Sequence, residues 1–230
     1  MRVIKAVLVE PVGCLAEFPA EEFNGIAERL FESGLPIGES GSDAYWYLLD
    51  LMEQAGDALT ASTPAVEQLE LQAIDRAQLY DDVVPALAAL RAMHITLLVA
   101  SSLSAVAVNR FLEKFSLAPY FSGVWTRDNA GGVKAAPLRK AIESAAVKPD
   151  EMICLVDTAD GIELANRVGV NSMLMFNDYD EGKRLAMLGP SGGIVSLHEL
   201  PDAIRFAALS TVRSSPPSPD RRSPEPKTSE

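Results

Sequence analysis

The chain has 230 residues, 48% hydrophobic and 23% charged, which suits one large globular domain or a core with a smaller insert. Its formal net charge of −12 works against nucleic acid and anionic lipid as partners, because both need a basic footprint. A small anionic ligand stays compatible with that charge, since one local lysine or a bound cation reverses the field. Cys14 and Cys154 make no disulfide framework, no signal-peptide pattern opens the chain, and no run approaches the ~18 apolar residues of a membrane span. A cytoplasmic setting is the expectation.

Residues Arg2 to Val9 read as a buried strand that ends at Glu10 and turns through Pro11-Val12-Gly13. From Glu17 to about Asp75 the pattern becomes helical. Phe23, Ile26, Ala27, Leu30 and Phe31 recur at helical spacing, and Gly34-Leu35-Pro36 stops them. Tyr45, Leu48, Leu49 and Met52 form a second apolar face. Thr63 and Pro64 fit the N-cap and first position of a third helix carrying Val66, Leu69 and Ile74. With no convincing strand, this segment reads as a small helical insert.

Strand and helix then alternate. Helices are expected over Val83–Met93, Ala105–Phe115, Pro137–Ala146, Gly161–Val168 (closed by Gly169) and Glu199–Ala208. Strands are expected over Ile95–Val99, Gly123–Thr126, Met152–Val156, Ser172–Phe176 and Gly193–Ser196. This alternation implies an α/β fold: a Rossmann-like parallel sheet with helices on both faces and a small all-helical cap inserted after the first strand. The expected division is a core of residues 1–16 and 79–209, a cap of 17–78, and a Ser/Pro-rich tail of 210–230 too poor in apolar area to fold.

Polar groups gather at four strand ends: Glu10, Ser101-Ser102, Thr126 and Asp157. Lys134 joins them at a helix start after Gly131-Gly132. In a parallel sheet these ends share one edge. A hydroxyl with the backbone N–H groups that follow it can hold anion oxygens. Lys134 supplies positive charge, and two carboxylates suit a hard cation. Each residue also has a plain role: Ser101 and Asp157-Thr158 as helix caps, Lys134 as a solvated lysine. Their placement together at matching strand ends favours a shared site. Elsewhere, His94 reads as a turn residue, His198 as a surface one, Cys154 as core, and Tyr45, Trp46 and Tyr47 as packing within the insert. No organic-cofactor motif stands out.

This order resembles the haloacid dehalogenase-like superfamily, in the branch with a helical cap after the first strand, over roughly Val3 to Ala208. The family's first motif is an Asp nucleophile, any residue, a second Asp, then Gly-Thr and an apolar residue. Here it reads Glu10-Pro11-Val12-Gly13-Cys14-Leu15. The second motif, a strand ending in Ser or Thr, matches Ser101. The third, a Lys in a Lys-Pro-x-Pro setting, matches Lys134-Ala135-Ala136-Pro137 with one Pro lost. The fourth, Gly-Asp-Ser followed two residues later by Asp-Ile, reads Val156-Asp157-Thr158-Ala159-Asp160-Gly161-Ile162.

The resemblance implies an aspartyl covalent intermediate in the family, with the second Asp serving phosphatases as general acid and base. It places Glu10, Val12, Ser101 and Lys134 at the catalytic positions. Glu10, Asp157 and Asp160 become candidate ligands for Mg2+, and the implied partner is a small phosphorylated or carboxylate anion. Three of these positions are altered. Glu10 sets its carboxylate one methylene further out, and ~1 Å of misplacement can cost ~10²-fold in rate. Val12 transfers no proton, a loss of typically ~10²–10⁴-fold. Gly161 stands where the fourth motif has its second Asp, with Asp160 one position early. The leading expectation is therefore an altered site with weak or absent phosphatase activity that still binds phosphate or Mg2+. The alternative is an active phosphatase or dehalogenase that uses Glu10. A third reading, Cys14 as nucleophile, is disfavoured by the Glu10 charge nearby.

Overall fold

The computed structural model describes residues 3–19, 52–53, 57–176 and 178–213. Its centre is a sheet of six parallel strands in the order β5-β4-β1-β6-β7-β8. In chain order these are β1 (Ala6–Val9), β4 (Thr96–Ala100), β5 (Gly123–Trp125), β6 (Met152–Val156), β7 (Asn171–Met175) and β8 (Gly192–Ile194). The Rossmann-like α/β architecture expected from the alternation is the one observed. The register sets Leu8 beside Leu98 on one side and beside Cys154 on the other.

Strands buried on both faces read as continuous apolar runs, and β1, β4 and β6 do so because both faces are covered. Successive side chains point to opposite faces. Val7, Val9, Leu97, Val99, Ile153 and Leu155 enter one core cluster; Ala6, Leu8, Leu98, Ala100, Cys154 and Val156 enter the other. Helices α2 (Val83–Ala92), α3 (Ala105–Lys114) and α8 (Glu199–Arg213) supply the first cluster with Leu87, Leu90, Phe111, Leu200 and Ile204. Helices α5 (Ala135–Ser144), α6 (Ala159–Val168) and α7 (Tyr179–Ala186) supply the second with Leu138, Ala141, Ile162, Ala165 and Leu185.

Helix α1 (Asp57–Arg76) precedes this alternation and is fastened to α3. Lys114 Nζ donates to the carbonyls of Ile74, Asp75 and Ala77 at 2.7, 2.9 and 3.1 Å, so one ammonium satisfies the carbonyls that a helix end leaves open. Arg110 pairs with Asp75 at 3.0 Å. Phe111, fully buried, stacks on Phe18 at 5.7 Å and meets Phe115 edge-on at 5.0 Å.

Several boundaries differ from the sequence reading. The first strand begins at Ala6 rather than Arg2. Helix α1 runs through Pro64 instead of starting there. A proline removes one intrahelical hydrogen bond, and the helix runs on through that gap. Ala16–Glu17 (β2) and Gln78–Leu79 (β3) form a two-stranded antiparallel ribbon where no strand was expected. Two-residue strands carry no readable periodicity. Two helices are additions to the expected set: the short α4 (Arg127–Ala130) and α7. Helix α7 is mostly polar, but Asp178 caps it by accepting from Glu181 N–H at 2.8 Å. Helix α8 continues to Arg213 rather than Ala208. The helix expected at Phe23–Phe31, the second apolar face from Tyr45 except for its last member Met52, which is helical and buried, and the tail from residue 214 onward lie outside the described residues.

Phe111→Ala is expected to cost ~3–5 kcal/mol, the usual penalty for removing a buried aromatic ring. Urea denaturation measures it, and a loss below ~1 kcal/mol would show that α3 contributes little to the core.

Candidate active site

Strands β4, β1 and β6 are neighbours, so the residues just beyond them meet at one edge: Ser101 and Ser102, Glu10, and Asp157. Beyond β1 the chain makes a short helical turn, Pro11–Cys14, whose middle departs from helical geometry at Val12 and at Gly13 (φ 77°). Gly13 is required twice over. A left-handed φ is strained for other residues, and a Cβ there would stand 2.0 Å from Asp157 Oδ2. The turn and the β6 end are in close contact as a result.

Glu10 is half-buried, with its carboxylate folded back onto the protein. Ser101 Oγ donates to Glu10 Oε1 at 2.7 Å and Val12 N–H donates to the same oxygen at 3.4 Å. Ser102 N–H is a further donor. Burial raises the Glu10 pKa and the negative charge of Asp157 adds to it; the donors only partly offset them, so the carboxyl is pushed up to about 8. In the absence of a cation Glu10 is mostly protonated at neutral pH.

The sequence-predicted residues divide between the cleft and the packing behind it. Glu10, Ser102, Lys134, Asp157, Thr158, Asp160 and Gly161 line a small cleft. Ser101 is 0% exposed; its hydroxyl supports Glu10 and accepts from Leu103 N–H at 3.2 Å. Ser102 is the serine that faces the cleft, and its Oγ accepts Lys134 N–H at 2.8 Å. Thr126 is buried and away from the cleft, at the cap of α4, where its N–H donates to Asn129 Oδ1 at 2.7 Å. Val12 is 7% exposed and belongs to the core. Cys14 is buried and its thiol pKa is held well above the usual range by burial and by Asp157 and Glu10, which removes the thiolate a nucleophile needs.

Lys134 Nζ lies 3.6 Å from Asp160 Oδ2 and 3.3 Å from Glu53 Oε2, the latter from the segment between β2 and β3. Its backbone is held at φ 56°, ψ −115°, a region L-residues seldom adopt. A Cβ on Gly161 would approach Val156 Cγ1 to 2.8 Å, so the side chain of β6 fills the space beside it. Among the described residues no group of three or more His, Cys, Asp or Glu side chains is placed to share a metal ion. Glu10 and Asp157 form a carboxylate pair whose mutual repulsion a hard cation would relieve, and Mg2+ commonly uses one or two carboxylates with water and ligand oxygens. The donor chemistry of the pair therefore fits that ion. Sequence reasoning missed Ser102 as the cleft serine, Glu53, and the buried Glu70 and Arg127 behind the serine loop. A lone Glu or Arg on a helix carries no motif that marks it.

A carboxyl with a raised folded-state pKa binds its proton more tightly when folded. The stability it gives is complete below the unfolded value of 4.5 and is lost as pH rises through about 8. Melting temperature is expected to fall across that window, and Glu10→Gln to flatten the fall and raise Tm at its alkaline end. An unchanged pH slope in Glu10→Gln would remove Glu10 as its source.

The family model described as haloacid dehalogenase-like hydrolase matches residues 36–175, beginning after the Glu10–Leu15 turn. No curated protein matches the chain. A solved HAD phosphatase from Thermococcus onnurineus is 21% identical, with 87% of this chain and 98% of that one covered at a TM-score of 0.61. The L-2-haloacid dehalogenase from Xanthobacter autotrophicus is 16% identical, with 88% and 99% covered at 0.59. A HAD hydrolase from Bacillus subtilis bound to magnesium is 13% identical, with 88% and 99% covered at 0.60.

Proposed function

The chain belongs to the haloacid dehalogenase-like hydrolases, and from that premise we propose that it binds a small phosphorylated or carboxylate anion in the Glu10–Asp157 cleft with weak or absent phosphatase activity. One observation carries this reading: two of the three altered motif positions, Val12 and Gly161, leave no room for the missing acids. Val12, at the acid/base position, is part of the hydrophobic core, and the Cβ space at Gly161 is filled by Val156. An acid returned to position 12 would be buried in apolar surroundings, which strongly disfavours its charged form.

What remains suits an anion better than its hydrolysis. Ser102 and Lys134 line the cleft with Thr158. Glu10 and Asp157 would hold Mg2+, which supplies positive charge to an anionic ligand when bound. Lys134 would meet the ligand by exchanging Glu53 or Asp160 for it. We read residues 1–16 and 79–209 as the core and 17–78 as a helical cap, with Glu53 as the cap's contact with Lys134. A cytoplasmic setting suits the two buried free thiols.

A thermal-shift series with Mg2+, phosphate and vanadate is expected to raise Tm, with Mg2+ and phosphate together above either alone. Phosphomonoesters tested with Mg2+ are expected to turn over far below the ~1–10³ s⁻¹ of ordinary enzymes. No shift from any of the three would end the binding reading. The second reading, an active hydrolase, draws on the Glu10 carboxylate lining the cleft. Phosphate or halide release at ordinary rates, abolished in Glu10→Ala, would establish it in place of the first.

A further inference from the structure

The serine loop after β4 is held from behind by an ion pair that the cleft does not contain. Glu70 on α1 is 1% exposed, and Arg127 at the start of α4 is 7% exposed. Arg127 Nη1 donates to Glu70 Oε1, and Nη2 to Glu70 Oε2 at 3.0 Å. The same Nη1 donates to Ser102 O at 3.1 Å, and Glu70 Oε2 accepts Ser104 N–H at 3.2 Å. One pair thus grips two backbone groups of the loop, on either side of Leu103. Asp128 accepts Ala105 N–H at 2.7 Å just beyond them.

Every group this loop presents to the site lies between or beside those grips. Ser101 Oγ holds Glu10, Ser102 N–H reaches the same carboxylate, and Ser102 Oγ holds the strained backbone of Lys134. Stability alone accounts poorly for the pair. Desolvation raises the Glu70 pKa even beside Arg127, and apolar side chains of similar volume often serve a buried site as well or better. An apolar pair, however, cannot bind a carbonyl and an amide two residues apart at set positions. Arginine's planar fork can reach the carboxylate and the carbonyl together.

We propose that Glu70 and Arg127 are positioning residues: from α1 and α4 they set the Ser101–Ser104 loop, and through it Glu10 and the Lys134 backbone, for a bound phosphate group. The ligand half of this inference rests on the anion-binding reading above; the loop half stands on the contacts themselves.

The test replaces the pair as a unit, Glu70→Leu with Arg127→Met, which avoids leaving one charge buried alone. Amide exchange is followed at Leu103 and Lys134, which bond to the serine hydroxyls and not to the pair, against Leu8 and Leu155 in the central strands. The double variant is expected to stay folded, while exchange at Leu103 and Lys134 rises ~10-fold or more relative to the strands. Inorganic phosphate is expected to bind ~10-fold more weakly, about the loss of one charge-assisted hydrogen bond. Glu70→Gln, which keeps the shape and loses the charge, is expected to move both readouts the same way by less, and it decides the matter if the double variant does not fold. Unchanged relative exchange at both amides overturns the proposal, as does faster exchange with unchanged phosphate affinity. Failure of the wild-type protein to bind phosphate removes the anion reading instead, and the exchange ratio still decides whether the pair positions the loop.

Discussion

A parallel sheet delivers the carboxyl end of every strand to the same edge, and the site depends on that constraint. With β1 between β4 and β6, residues far apart in sequence become neighbours: Glu10 meets Ser101 at 2.7 Å, and Gly13 rests against Asp157. Burial of the three strands on both faces, from their second residues to their carboxyl ends, leaves those ends little freedom to drift. Side-chain chemistry at the edge can therefore vary while the edge itself persists.

Charge at that edge is balanced by proximity more than by number. Two carboxylates face each other at Glu10 and Asp157, and the lysine that could offset them is engaged with Asp160 and Glu53. Glu10 answers by holding its proton, with Ser101 and two backbone amides as donors. The same arrangement is receptive to a cation or to a ligand that brings one, because either relieves the repulsion.

Behind the edge, polar groups that never touch the cleft determine its shape. Lys114 closes the end of α1 against α3, and Arg127 with Glu70 grips the serine loop. These contacts join helix α1 to the strand ends, so that helix has a physical route to the site.

The alternation of apolar runs and helical faces was enough to read the α/β class, because strands buried on both faces have few other ways to appear in sequence. The strand-end residues Glu10, Ser101 and Asp157 were legible for the same reason, whereas Val12 and Gly161 stood out as altered only against the motifs of the family that the chain resembles. Tertiary structure alone decided which of these face the cleft. Ser101 and Ser102 are adjacent, yet one supports Glu10 from behind and the other lines the opening. Thr126, also at a strand end, turns into a cap on α4. The Glu70–Arg127 pair joins residues on two helices 57 positions apart in sequence, and no local spacing encodes it. Hydrophobic periodicity is a local property of the chain, whereas a buried polar contact exists only once the fold has excluded water from both partners.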